Sequence, residues 1–86
     1  MNIYLLTPGK WKGRRPKLDF YDSAVVIASS ETDALTIHPG FNNETGLNPS
    51  FDDGSWPSAG HVFVKLLGKA ESNCLRGVVC ASFNAA

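Results

Sequence analysis

The sequence predicts an α+β domain: a four-stranded, mainly antiparallel sheet with one short helix, in the order ββαββ, and a long loop over residues 40–60. Four short runs rich in β-branched and aromatic residues, each closed by Gly, Pro, Asn or Asp, supply the strands. One hydroxyl-to-carboxylate spacing supplies a single helix start. The length of 86 residues supplies the limit. A chain of this size buries only about 60% of the surface it exposes when unfolded, so residues 1–86 read as one domain with one core.

The first strand is Asn2-Ile3-Tyr4-Leu5-Leu6, stopped by Thr7-Pro8-Gly9, where Pro lacks an amide hydrogen and Gly turns freely. The second runs from Phe20 to Ala28, with β-branched residues at Val25, Val26 and Ile27. Period-two alternation sets Tyr21, Val25 and Ile27 on one face as the best core set. Ser30-Glu31-Thr32-Asp33 is a short form of the capping box, with acids in the first turn where the helix dipole favours them. The helix it opens is bounded by His38-Pro39-Gly40, leaves about two turns, and sets Ala34 and Ile37 on one face with Leu35 beside it. A helix this short must dock on the sheet to persist.

Residues 40–60 carry turn-forming residues densely, as in Asn42-Asn43, Asn48-Pro49 and Asp52-Asp53-Gly54. Structureless connections of this length are usually functional or mobile. Phe41, Phe51 and Trp56 in it are candidates for contact with a partner. Strand three covers His61 to Leu67, with Val62, Val64 and Leu66 facing one way and Phe63 and Leu67 the other; strand four covers Val78 to Phe83. Tyr4, Leu6, Phe63 and Leu67 fall opposite the chosen core set. A second face with that content predicts cover by the long loop or by another copy of the chain, hence a homo-oligomer.

Composition excludes several classes of function. No apolar stretch approaches the roughly 20 residues a membrane span needs, and the short apolar start precedes its charges rather than following them, unlike a signal peptide; a cytosolic protein with no membrane partner is expected. Two cysteines are too few for a disulfide framework. Cys80 lies in an apolar run and reads as a small buried hydrophobe, whereas Cys74 lies in a polar turn and reads as a free thiol. His38, before Pro39, is placed to interact with the unpaired carbonyls of the helix end, and His61 to tether a loop at the surface. Nothing in the spacing of His38, His61, Asp52 and Asp53 makes them converge, so neither a metal nor another cofactor is expected. No phosphate loop, dinucleotide fingerprint, nucleophile elbow or zinc motif is present, and the chain reads as a non-enzyme without catalytic residues.

Charge is more informative in its layout than in its sum. Eight Lys and Arg balance eight Asp and Glu, yet residues 1–17 hold five cations and no acid, residues 18–64 seven acids and no cation, and residues 65–86 three cations and one acid. The first block places Lys10, Lys12, Arg14, Arg15 and Lys17 around Trp11, a combination that neutralises phosphates while a ring stacks on a base. Lys10, Trp11, Lys12, Arg14, Arg15 and Lys17 are therefore candidates for binding an anionic ligand or a host protein. The plain alternative is a solvated loop that pairs with the acidic middle of the same chain.

Tyr21-Asp22-Ser23-Ala24-Val25-Val26-Ile27-Ala28, the acidic helix ending in Ile37-His38-Pro39, the central Trp56, and Gly77-Val78-Val79-Cys80-Ala81-Ser82-Phe83-Asn84-Ala85 together resemble a class of small phage and prophage proteins of unassigned function. The resemblance implies viral origin and action in the cytoplasm of a bacterial host. By analogy with small phage proteins of that kind, it implies a binding protein that antagonises a host defence or regulatory component by occupying a host protein, as anti-CRISPR proteins do. Two alternatives stand beside it: a sponge for an anionic nucleotide signal, and a virion or morphogenesis component.

Overall fold

The computed structural model describes residues 1–9, 20–51 and 54–84. The elements, in chain order, are β1 (Asn2–Pro8), β2 (Phe20–Ala28), α1 (Glu31–Leu35), β3 (Val62–Lys69) and β4 (Gly77–Asn84). A single 3-10 turn, Ala59–His61, stands before β3 and is absent from the expected ββαββ order. All pairings are antiparallel, and the strand order is β3-β1-β2-β4. The two hairpin-connected strands are thus central. The next two flank them on opposite edges, and residues 70–76 carry the chain from one edge to the other past the sheet end that holds Asn2, Ala28 and Gly77. Ala70 N–H donates to Met1 C=O at 3.0 Å on that path.

One face of the sheet is the core. Tyr4 and Leu6 from β1 and Ala24, Val26 and Ala28 from β2 are buried together with Ala34, Ile37 and Trp56. Val62, Val64 and Val78 pack against this cluster from the edge strands, and Phe41 and Phe51 from the loop. Cross-strand register explains the set, since Leu6 faces Ala24 and Val64, and Tyr4 faces Val26. The Tyr4 hydroxyl accepts from the Asn2 amide at 3.1 Å, which gives the polar tip of this buried ring a partner.

The expected division of faces is corrected by this arrangement. Val25 and Ile27 lie opposite the core, while Tyr4 and Leu6 lie in it. Tyr21 reaches the core side only because the register with β4 shifts between Tyr21 and Ser23. A bulge of this kind inserts one residue and reverses alternation beyond it, which strict period-two counting cannot register. A second shift, between Val25 and Val26, sets Val26 against Val78 and Val25 against Cys80. Cys80 is consequently exposed rather than buried, because it sits on an edge strand and on the face away from the core.

Helix α1 is shorter than expected, five residues, and its start is as the sequence implies. Ser30 is the N-cap, its hydroxyl accepting from Asp33 N–H at 3.1 Å. It ends early because a remote amide takes over its exit: Asn48 donates to Thr36 C=O at 2.7 Å and accepts from His38 N–H at 3.0 Å. Those two bonds let Ile37 leave the helix and enter the core. His38 follows it inward and is 1% exposed. Its Nδ1 accepts from Gly40 N–H at 2.9 Å, so the imidazole closes a turn by accepting an amide and does not cap carbonyls. An accepting Nδ1 leaves the ring hydrogen on Nε2. Tyr21 and Phe51 meet the ring edge-on at 5.9 and 5.5 Å between centroids.

The long loop folds back on the same face as α1. Trp56 is the largest fully buried side chain and Pro57 is buried beside it. Three alanines, Ala24, Ala28 and Ala34, share the cluster, and side chains that small on sheet and helix leave volume for an indole. The opposite sheet face carries Ile3, Leu5, Val25 and Ile27 and has no cover among the described residues.

Candidate protein-binding surface

At the Gly77 end of the sheet two irregular segments, the 42–47 turn and the 70–76 connection, are fastened to regular structure by side chains. Asn42 shapes the first: its Oδ1 accepts from Glu44 N–H at 2.9 Å and Thr45 N–H at 3.2 Å, and its backbone bridges to Leu47. Asn43 then attaches that turn to β4, accepting from Val78 N–H at 3.0 Å and donating to Val78 C=O at 2.9 Å. A primary amide offering both groups to one residue stands in for a neighbouring strand. It thereby covers the start of an edge that no other strand of the described residues pairs with. Gly77 is required beneath it. Its φ is +151°, and a Cβ there would lie 3.0 Å from Asn43 Cγ and overlap Oδ1.

Arg76 fastens the second segment. Its Nε donates to both Asp33 carboxylate oxygens at 3.1 Å, and a terminal nitrogen reaches Asp33 Oδ1 at 3.0 Å and Thr36 Oγ1 at 2.9 Å. The guanidinium also lies 5.7 Å from the centre of the Phe41 ring. Asp33 is already engaged by Ser29, whose N–H and hydroxyl donate to it at 3.0 and 3.2 Å. Hydrogen bonding from Arg76 holds the Asp33 carboxyl below its ordinary pKa; partial burial opposes this, and the Ser29 bonds and Arg76 charge reinforce it. Asp33 thus joins the N-terminal turn of α1 to the last residue before β4. An acid of the middle block is paired here with a cation of the C-terminal block.

The two fastened segments present exposed leucines. Leu47 is 68% exposed at the end of the turn that Asn43 pins, and Leu75 is 84% exposed directly before Arg76. Asn43 and Arg76 were not among the residues the sequence singled out, and no local pattern marks either. The hint available for Asn43 was its place in an Asn-Asn turn, and for Arg76 its place before a glycine.

The sequence-derived candidates fall elsewhere. Trp56, at 1% exposure, belongs to the core, which removes it from any partner contact in this fold. Phe41 and Phe51 are half-buried and pack against the same core. Lys10, Trp11, Lys12, Arg14, Arg15 and Lys17 lie outside the described residues. The positions that flank them are fixed: Gly9 N–H donates to His61 C=O at 2.6 Å, and Tyr21 N–H to Ser55 C=O at 2.9 Å. Pro8 pairs with Val62 and Phe20 with Asn84, so the basic connection leaves and rejoins the sheet at the end away from Gly77. A hollow of about 230 Å³ adjoins its departure point, lined by Gly9, Gly60, His61, Val62 and Phe63. That is smaller than the roughly 300–1,000 Å³ of ordinary small-ligand sites.

Among the described residues, no group of three or more His, Cys, Asp or Glu converges on a metal-sized point, and no helix is long and apolar enough to cross a membrane. No family model, curated protein or solved structure matches the chain.

Proposed function

We propose that the protein is a non-catalytic binding module that acts by occupying the surface of another protein. In the setting the sequence resemblance implies, the partner is a defence or regulatory component of a bacterial host, met in the host cytoplasm. The observation that carries this reading is the pinned pair of segments bearing Leu47 and Leu75. Exposed leucines are common on surfaces and mean little singly. These two are held by multi-bonded side chains, and a contact surface ordered beforehand avoids part of the ordering cost that association otherwise incurs. The neighbouring Arg76 and Asp33 supply a polar margin beside the apolar points.

The test is affinity capture from bacterial lysate with the wild-type chain, a Leu47→Asp/Leu75→Asp variant and a Lys12→Ala/Arg14→Ala/Arg15→Ala variant. Captured protein is then purified and titrated directly. The expected result is a stoichiometric protein whose affinity falls at least tenfold for the leucine variant and stays within about twofold for the basic variant. Equal affinity of the leucine variant and the wild type would overturn the assignment.

A second reading rests on a different observation, the concentration of five cations with Trp11 in one connection. It is sequestration of an anionic nucleotide, which small-molecule mass spectrometry on the same captures detects. Co-elution of a nucleotide lost only in the basic variant supports it, and its absence from the wild-type capture counts against it.

A further inference from the structure

We infer that the open face of the sheet is the contact surface of a homodimer, with a second copy of this chain packed face to face upon it. The centre of that face is formed by Ile3 and Leu5 of β1 and Val25 and Ile27 of β2, in register as Ile3–Ile27 and Leu5–Val25. Around them Phe63 is 69% and Leu67 50% exposed, and Cys80 on β4 is exposed. None of the cover that seals the other face reaches this one: α1, Ile37 and Trp56 all pack with Tyr4, Leu6 and Val26.

Three features select a second copy as the occupant. The first is area. Four strands about 4.8 Å apart, with about seven residues each rising about 3.3 Å, give a face of roughly 19 by 23 Å, or about 440 Å² in flat projection before the relief of its side chains is added. Specific interfaces begin near about 600 Å² of accessible surface per partner, a size this face reaches only when all of it is used, as sheet-on-sheet packing uses it.

The second is charge. The two central strands carry one charged residue, Asp22, which stands at the bulge near the Phe20 end of β2 and away from Ile3, Leu5, Val25 and Ile27. Its one cation among the described residues facing that way, Lys65, is paired with Leu5 on the edge strand β3. A two-fold axis through the central strands therefore sets both copies of Lys65 at the margin, where they stay in water. The formal net charge of zero adds no long-range repulsion between copies.

The third is self-complementarity. A two-fold contact joins the same patch on both chains, and a patch that is apolar in the middle and polar at its edge meets that condition with itself.

The inference is tested by sedimentation velocity on the full chain from about 1 to 100 μM, with thiol labelling of Cys80 in parallel. The wild type is expected at about twice 9.3 kDa, with Cys80 labelling slowing as concentration rises. Val25→Glu puts a carboxylate at the centre of the contact and is expected to give the single-chain mass with Cys80 labelled rapidly. Phe63→Glu, at an already exposed edge position that the fold does not depend on, is expected to weaken association at least tenfold; circular dichroism of both variants should match the wild type.

A single-chain mass for the wild type throughout the range overturns the inference. If Cys80 is then still protected, another part of the same chain covers the face; if it labels freely, the face stands open in solution. A dimer whose mass neither variant changes overturns it equally, because its contact lies elsewhere.

Discussion

Replacing Gly77 by Ala tests how the edge of β4 is closed. Two costs follow directly. The backbone at φ +151° is a conformation L residues rarely adopt, which costs on the order of 1–2 kcal/mol. The added methyl also occupies the space of the Asn43 amide and displaces it, losing both bonds to Val78. Each such bond is worth about 0.5–1.5 kcal/mol, with the lower half appropriate to an exposed turn, so the pair contributes about 1–2. Gly77→Ala should therefore cost about 2–4 kcal/mol and Asn43→Ala about 1–2. The double variant should cost no more than Gly77→Ala alone, since the bonds can be lost only once. The coupling energy then equals the Asn43→Ala cost in size. Urea unfolding followed by circular dichroism measures it, with unchanged m-values as the check that the unfolded state is the same. Costs that add to within about 0.5 kcal/mol would show that Asn43 and Gly77 act independently and that the amide does not seal the edge.

Three further outcomes are expected. Trp56→Ala removes the largest side chain of the core and should cost about 3–5 kcal/mol, comparable to the whole stability of many domains this small, so calorimetry should find no cooperative transition, whereas Trp56→Phe should retain one. Ser30→Ala takes the acceptor from Asp33 N–H and should cost about 1 kcal/mol, lowering the melting temperature by about 4–8 °C. Arg76→Ala should cost at most about 1 kcal/mol near neutral pH, the pair being partly solvated. Because the folded carboxyl of Asp33 sits below its ordinary 3.8, the stabilisation is complete above that pH and disappears as pH falls through the lower folded value. Urea midpoints of Arg76→Ala and wild type should accordingly draw closer as acid protonates Asp33, and a gap that does not narrow with falling pH would exclude Asp33 as its source.

Much of the frame was legible because strands and caps announce themselves locally. β2 runs from Phe20 to Ala28 as its β-branched run implies, and α1 begins where Ser30 and Asp33 stand three apart. What stayed hidden depends on contacts distant in sequence. Face assignment failed in β2 because the bulge at Asp22 puts Tyr21 on the side opposite Val25 and Ile27, and alternation alone does not say which of the two sides is covered. Trp56 read as a contact residue because it stands in a turn-rich loop; only the hollow left by Ala24, Ala28 and Ala34 shows it to be core. The candidate surface was equally out of reach, since Asn43 meets Val78 and Arg76 meets Asp33 only after the chain has crossed the sheet.

That crossing bears on how the chain is made. A hairpin of β1 and β2 can form as soon as it is synthesised, yet both of its outer edges wait for strands encoded beyond residue 61. At about 5–20 residues per second, translation from Ala28 to Asn84 takes several seconds, during which two lengths of unpaired backbone are available to any neighbouring chain. The outer strands add no short-range contact that could hurry their arrival, and a topology so weighted toward distant pairing folds in milliseconds to seconds even when complete. The period of greatest danger to this protein is therefore its own synthesis. On crowded polysomes a nascent β1 or β2 can accept the β3 or β4 of the chain ahead, and exchange of strands between siblings is the misassembly this strand order invites.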